Sequence, residues 1–282
     1  MTNQPRSPTA KTMLFRPIVG STVFCAGLLR GALDRAFDRL LGVSTRGLVI
    51  TGNSILDGGS DNCPYEGSNW LALRRALKKI RVGPSDVFVD LGSGKGRALL
   101  VAGRLPYSRV IGIEIDDELS KHSQRNIDKA RDRLRSREVI NVRTDVLEWP
   151  IPDETSVLFM YNPFVGETFR TALHRVFDSY DRRPRALHIV YGYPWEHNWL
   201  MSTGRVVVDN VQPASWPALP RWWRTGFVIV TYRVIDAREE VVSKRSSRSL
   251  FRSGRAFRRW SGPNDHCFTL PKLDGTGTIR SY

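Results

Sequence analysis

The chain has 282 residues, 41% of them hydrophobic and 25% charged, the balance of an ordinary globular protein with one full-sized core and length to spare. Cys25, Cys63 and Cys267 lie far apart and the five histidines are scattered, so neither a disulfide framework nor a metal site is expected, and a reducing, cytoplasmic compartment fits best. The net charge of +15 is gathered at the ends, with seven Lys or Arg against Asp34 and Asp38 in residues 1–50 and nine against Asp265 and Asp274 in residues 242–282. Such flanks suit nucleic acid, acidic protein or an anionic membrane surface, and equally a solvated tail.

The apolar stretch from Ile18 to Leu29 is bracketed by Arg16 and Arg30. It falls well short of the roughly 20 apolar residues a bilayer span needs, so neither a spanning helix nor a secretory leader is expected. From Leu28 to Leu41 the residues Leu29, Leu33, Ala36, Phe37, Leu40 and Leu41 recur at helical spacing, with Arg30, Asp34, Arg35, Asp38 and Arg39 between them. The pattern predicts an amphipathic helix that packs on its own domain, with membrane-surface contact as the other reading.

From Asp86 onward, short apolar runs alternate with helical stretches. Strands are predicted at Val87–Val89, Val110–Ile113, Val139–Val142, Val157–Tyr161 and Ala186–Tyr191. Helices are predicted from Arg97, over 117–135, and from Glu167 to Tyr180. This alternation predicts an α/β fold with a mostly parallel sheet covered on both faces. Two further strands, Arg205–Val211 and Phe227–Val234, flank a Pro- and Trp-rich connection without clear helical periodicity, which suits an antiparallel finish at the sheet's end. The boundaries that follow are a lead-in over 1–64, a main domain over 65–240 and a basic tail over 241–282, the last including the Ser/Arg-rich run from Ser243 to Arg259.

The segment Asp90-Leu91-Gly92-Ser93-Gly94-Lys95-Gly96-Arg97 carries the chemistry. A buried strand ends at an acid, and alternate glycines turn the chain into a helix at the sheet edge where open α/β folds bind ligands. A nucleoside-triphosphate loop is excluded, because Val89 stands where its first glycine belongs and Gly96 follows Lys95. A dinucleotide turn is disfavoured by Arg97 at its small-residue position and by Asp90, which would repel a pyrophosphate. A carboxylate is well placed beside a cofactor that carries a sulfonium and an ammonium but no phosphate, as S-adenosylmethionine does. Glu114 ends the second strand, where it can accept both ribose hydroxyls. After the third strand, Asp145 suits an adenine amino group and Val146 offers a backbone N–H, or Asp145 is a turn residue.

This turn and Ile111-Gly112-Ile113-Glu114 resemble the first two motifs of the class I S-adenosylmethionine-dependent methyltransferases, over about 170 residues. They are similar in particular to a bacterial group with a D-x-G-S-G-x-G-R turn, and more distantly to protein-lysine methyltransferases. Phe37-Asp38-Arg39, Gly42, Thr45, Gly47 and Tyr65 resemble that group's lead-in. The resemblance implies a Rossmann-like fold, S-adenosylmethionine as cofactor, and cofactor contacts at Asp90, Gly92, Ser93, Gly94, Gly96, Glu114, Asp145 and Val146. Tyr65 joins them as a residue that closes over the methionine end or simply packs.

After the fourth strand, Tyr161-Asn162-Pro163-Phe164 resembles the [DN]-P-P-[YFW] turn of nitrogen methyltransferases, with one proline where that motif has two. Asn162, Pro163 and Phe164 are the catalytic candidates, with Asn162 aligning the acceptor nitrogen, since alignment supplies much of the rate. The aromatic loop from Tyr191 to His197 and Trp216, Trp222 and Trp223 are candidates for an amine cage or a base-stacking platform as well as for packing, and Glu196 and His197 for proton removal. The expected function is N-methylation of a protein side chain, lysine first. RNA, DNA or a small molecule is the alternative acceptor, and a non-catalytic scaffold the alternative class.

Overall fold

The computed structural model describes residues 31–50, 60–213 and 228–236, and the backbone of 272–273 and 279–280. Its centre is a seven-stranded sheet: Val87–Leu91 (β1), Arg109–Glu114 (β2), Glu138–Arg143 (β3), Thr155–Met160 (β4), His188–Gly192 (β5), Val206–Pro213 (β6) and Val228–Val234 (β7). The spatial order is β3-β2-β1-β4-β5-β7-β6. β1 to β5 pair in parallel, and β7 runs antiparallel to both β5 and β6. Of the last two strands only β7 is reversed, so β6 points the same way as the first five. The order turns around between β1 and β4, and in a doubly wound sheet a crevice opens there at the carboxyl ends of the strands.

Helices cover both faces: 31–41 (α1), Trp70–Leu77 (α2), Arg97–Ala102 (α3), Asp117–Ala130 (α4), Gly166–Arg182 (α5) and His197–Ser202 (α6). Every residue of β1 is buried, as a central strand with covered faces requires. Its alternate side chains enter two cores. Phe88 packs with Leu73, Leu77, Leu99 and Ile127, while Val87, Val89 and Leu91 pack with Phe169, Leu173, Val176 and Phe177 of α5. Asp116 starts α4 by accepting the Leu119 N–H at 2.8 Å, and a 3₁₀ turn at Arg131–Arg133 replaces the helical continuation to 135. Periodicity alone missed α2 and α6, each under three turns long.

The N-terminal helix keeps part of the expected face and departs from the rest. Phe37 and Leu41 do turn inward, but so do Asp34 and Asp38, while Leu40 is 59% exposed. Buried acids are tolerated when their lone pairs are filled. Asp34 pairs with Arg97 at 3.1 Å, and Asp38 receives Thr45 N at 2.8 Å, Thr45 Oγ1 at 2.7 Å and Trp70 Nε1 at 3.3 Å. Leu41 and Val43 join the same core as α2 and α3. Residues 28–30 of the predicted helix, the apolar stretch 18–29, Trp216, Trp222, Trp223 and the tail from 243 to 259 lie outside the described residues. Among the described residues no helix is long and apolar enough to cross a membrane.

Candidate active site

The glycine turn gets its shape from backbone bonds before any ligand is considered. The amides of Gly92 and Ser93 both donate to the Ile113 carbonyl at 2.9 Å, and Gly96 N donates to Ser93 O at 2.9 Å. Gly92, Gly94 and Gly96 have φ of +77°, +53° and +80°, a region that side chains disfavour. Close neighbours add a second reason for glycine. A Cβ on Gly92 would lie 2.3 Å from Pro163 Cβ, one on Gly94 2.1 Å from Tyr65 Cδ2, and one on Gly96 2.4 Å from Ser123 Oγ. The first two distances bring Pro163 and Tyr65 against the turn, while the third serves packing between α3 and α4.

These elements enclose a cavity of about 1090 Å³ at the carboxyl ends of β1, β2 and β4. Ten predicted residues line it: Tyr65, Asp90, Gly92, Ser93, Glu114, Asp145, Val146, Asn162, Pro163 and Phe164. Gly94 and Gly96 do not line it; they shape the turn from behind.

Asp90 is 2% exposed and its Oδ1 has no hydrogen-bond partner. Burial, and then the charge of Glu114, holds its carboxyl well above the ordinary range. Glu114 is 7% exposed and accepts Gly94 N at 2.7 Å and Asp116 N at 3.0 Å. Burial raises its carboxyl too, opposed by those N–H groups. Asp145 serves the turn as well as the cavity wall, its Oδ1 receiving Leu147 N at 2.8 Å. Ser93 Oγ donates to Asn141 Oδ1 at 2.6 Å and so ties the turn to β3.

At the far end, Asn162 sits at φ +49°, a left-handed conformation that asparagine tolerates better than most residues. Tyr191 Oη donates to its Oδ1 at 3.3 Å, and its Nδ2 donates to Cys63 Sγ at 3.6 Å. Phe164 points into the core beside Phe169. Glu196 accepts Gly166 N at 2.9 Å at the start of α5. His197 is 2% exposed, with Nδ1 2.5 Å from Tyr232 Oη, and lies outside the cavity lining. It therefore cannot take a proton from a substrate in this cavity. Tyr193 and Trp195 are likewise absent from the lining, and their rings pack on each other at 5.7 Å.

Sequence reasoning missed the segment 60–64 and Arg97. Asp61 receives Thr168 N at 3.0 Å, Val165 N donates to its carbonyl at 3.0 Å, and Cys63 N donates to the Pro163 carbonyl at 2.8 Å. No periodicity announces such a segment, because its bonds are to a turn about 100 residues away. The lining holds seven acids, Asp61, Glu66, Asp90, Glu114, Asp116, Asp117 and Asp145, against the single base Arg97, which is itself paired with Asp34. No group of His, Cys, Asp and Glu among the described residues could hold a metal ion.

The strand order with its one reversed strand, and two acids at the carboxyl ends of β1 and β2 beside the glycine turn, decide the architecture. This is a class I methyltransferase fold. The profile of the family described as Histone methylation protein DOT1 matches residues 62–144, which take in Tyr65, the glycine turn, Asp90 and Glu114 but not the rest of the lead-in. A protein-lysine N-methyltransferase of Saccharolobus islandicus is 33% identical over 67 residues, 23% of this chain and 42% of that protein, so the chain matches less than half of its relative's length. An RNA methyltransferase from Salinibacter ruber, solved with S-adenosyl-L-homocysteine, is 21% identical at a TM-score of 0.39, covering 58% of this chain and 90% of that one. A putative methyltransferase solved with the Haloferax volcanii activator Trm112 is 13% identical at a TM-score of 0.44, covering 59% and 90%. At such scores the two structures add nothing to what the strand order shows.

Proposed function

We propose that the chain is an S-adenosylmethionine-dependent methyltransferase that modifies an amine nitrogen on a protein, lysine first. The observation that carries this is the acidic lining of the cavity: five carboxylates besides the buried Asp90 and Glu114, against one arginine already paired with Asp34, in a chain whose net charge is +15. A wall of that sign welcomes cations and repels phosphates. It favours a protein amine over a nucleic-acid acceptor, and the similarity to a protein-lysine methyltransferase agrees with it.

The residues present fit the cofactor. The buried Oδ1 of Asp90 lacks a partner, and a cationic methionine end would satisfy it. Glu114 reaches the same cavity from the end of β2, where a ribose diol can donate to its remaining lone pairs. When bound, S-adenosylmethionine supplies a methyl group on a positively charged sulfur. The chain's own part is to bind and align. The acids draw in an ammonium, which must hand its proton to solvent water before its nitrogen can attack; Asn162 and Cys63 on the lining are uncharged and offer no ion pair to oppose that loss. Asn162 Oδ1, held on one side by Tyr191, keeps a lone pair for the acceptor N–H and so aims the nitrogen.

The reading is tested by incubating cell extract with the protein and methyl-labelled cofactor. Label is expected in protein, resistant to nuclease and located on lysine by mass spectrometry. Label lost on nuclease treatment, or confined to small molecules, overturns the acceptor.

A further inference from the structure

Arg97 closes the D-x-G-S-G-x-G-R turn and opens α3, yet its side-chain bonds go outside the turn altogether. The side chain is 3% exposed, and its guanidinium reaches back across the turn into the N-terminal segment. Nε donates to Thr45 Oγ1 at 2.8 Å, Nη1 to Asp34 Oδ2 at 3.1 Å and to the Ser68 carbonyl at 2.5 Å, and Nη2 to the Thr45 carbonyl at 3.1 Å. Its plane lies against Gly67, where a Cβ would come within 2.8 Å of Cζ, and its charge lies 5.5 Å from the Trp70 ring centroid. A planar fork with five donors can make this set of bonds; an ammonium cannot.

Tyr65 springs from the same knot. Its hydroxyl donates at 2.6 Å to the Thr45 carbonyl, the oxygen that also receives Arg97 Nη2. Its ring presses on Gly94, and both Tyr65 and Arg97 line the cavity. Thr45 is held in turn from α1 by Asp38. The ring that walls the pocket is thus connected to α1 and to the start of α3 through one threonine.

We infer that Arg97 is a positioning residue of the cofactor pocket: through Thr45 it ties the N-terminal segment to the glycine turn and holds the Tyr65 ring in place as the pocket's wall. This rests on the cofactor reading above. A role confined to steadying α1 would make the protein less stable without the pocket sensing it. A role in placing Tyr65 makes Arg97 matter to the ligand only while the ring is there.

The test is calorimetric titration of S-adenosylhomocysteine into the full chain, with the melting temperature of each variant measured alongside. Arg97→Lys is expected to weaken binding about tenfold, Tyr65→Ala to weaken it comparably, and the double variant to bind within about twofold of Tyr65→Ala, because residues acting through one contact are not additive. Should Arg97→Lys fail to fold, Thr45→Val takes its place: it removes the hydroxyl that receives Nε, keeps the carbonyl, and is expected to weaken binding by severalfold in the presence of Tyr65 and not in its absence. Fully additive losses, or affinity within about twofold of wild type with only the melting temperature lowered, would overturn the inference. A wild type that takes up no S-adenosylhomocysteine would instead fell the cofactor reading, and this inference with it.

Discussion

Asp90 and Glu114 line one cavity from the ends of adjacent parallel strands, and they differ in how they are satisfied: Glu114 receives two backbone N–H groups, whereas Asp90 Oδ1 receives none. Burial raises both carboxyls, and the charge of Glu114 raises Asp90 further. The empty pocket therefore prefers to hold protons that a bound cation would displace. Affinity for S-adenosylmethionine should rise with pH from the acid range toward neutrality, and more steeply than affinity for S-adenosylhomocysteine, which lacks the sulfonium charge. Titration in buffers of different ionisation heat should show proton release on binding. Equal pH dependence for the two ligands would count against a pocket tuned to a cation.

The same acids set a stability cost with a definite sign. A carboxyl whose folded pKa lies above its unfolded value holds more protons when folded, so stability is fully present below the unfolded pKa and is lost as pH rises toward the folded one. Asp90→Asn should therefore melt higher than wild type at pH 8, by about 2–4 °C for each kcal/mol relieved, with the gap closing toward pH 4. The same variant should bind cofactor about ten- to a hundredfold more weakly, the worth of a hydrogen bond to a charged group. Glu114→Ala should weaken binding over a similar range while retaining the fold. An Asp90→Asn variant less stable than wild type at pH 8 would show that the carboxylate supports the empty structure.

The three glycines of the turn separate by neighbour. Gly94→Ala drives a Cβ into the Tyr65 ring, and Gly96→Ala drives one into Ser123 on α4. The first should cost cofactor affinity at least tenfold with a smaller loss of stability; the second should lower the melting temperature by several degrees, and affinity only as far as the fold loosens. Thermal melts and ligand titration on both variants distinguish these outcomes. Equal losses of affinity would mean that Gly96 shapes the pocket as directly as Gly94.

How much of this was legible in the sequence depended on how local each bond is. The strands of the sheet, the glycine turn and the acids at or just past the ends of β1 to β3 announced themselves because each is a property of a short run: an apolar stretch, a set of glycines, a carboxylate at its end. The inward face of α1 was legible only in Phe37 and Leu41, because Asp34 and Asp38 look solvated until Arg97, Thr45 and Trp70 arrive from elsewhere in the chain to fill them. Asp61 and Cys63 were invisible for the same reason, since their partners lie on the turn that follows β4 and in the first turn of α5. His197 was misplaced by adjacency: it follows an aromatic loop at the ligand end of the sheet, yet α6 turns it under β7 against Tyr232.

At the acceptor end, the prediction concerns which step slows. Asn162→Ala removes an amide that touches Tyr191 and Cys63, and places alanine at φ +49°, a strain of about 1–2 kcal/mol in the left-handed region. Turnover should fall at least a hundredfold while affinity for S-adenosylhomocysteine changes less than about threefold, the pattern of an interaction made with the acceptor in the transition state. Asn162→Gly keeps the backbone free of strain and lacks the amide, so it should be as slow as the alanine variant yet melt no lower than it. His197→Gln, by contrast, should lower stability through the lost Tyr232 contact and leave the pH dependence of turnover where it was, since the ring never meets the cavity. A glycine variant that turns over at the wild-type rate would take the acceptor-aligning role away from Asn162 and leave its amide with the structural task of bridging Tyr191 and Cys63.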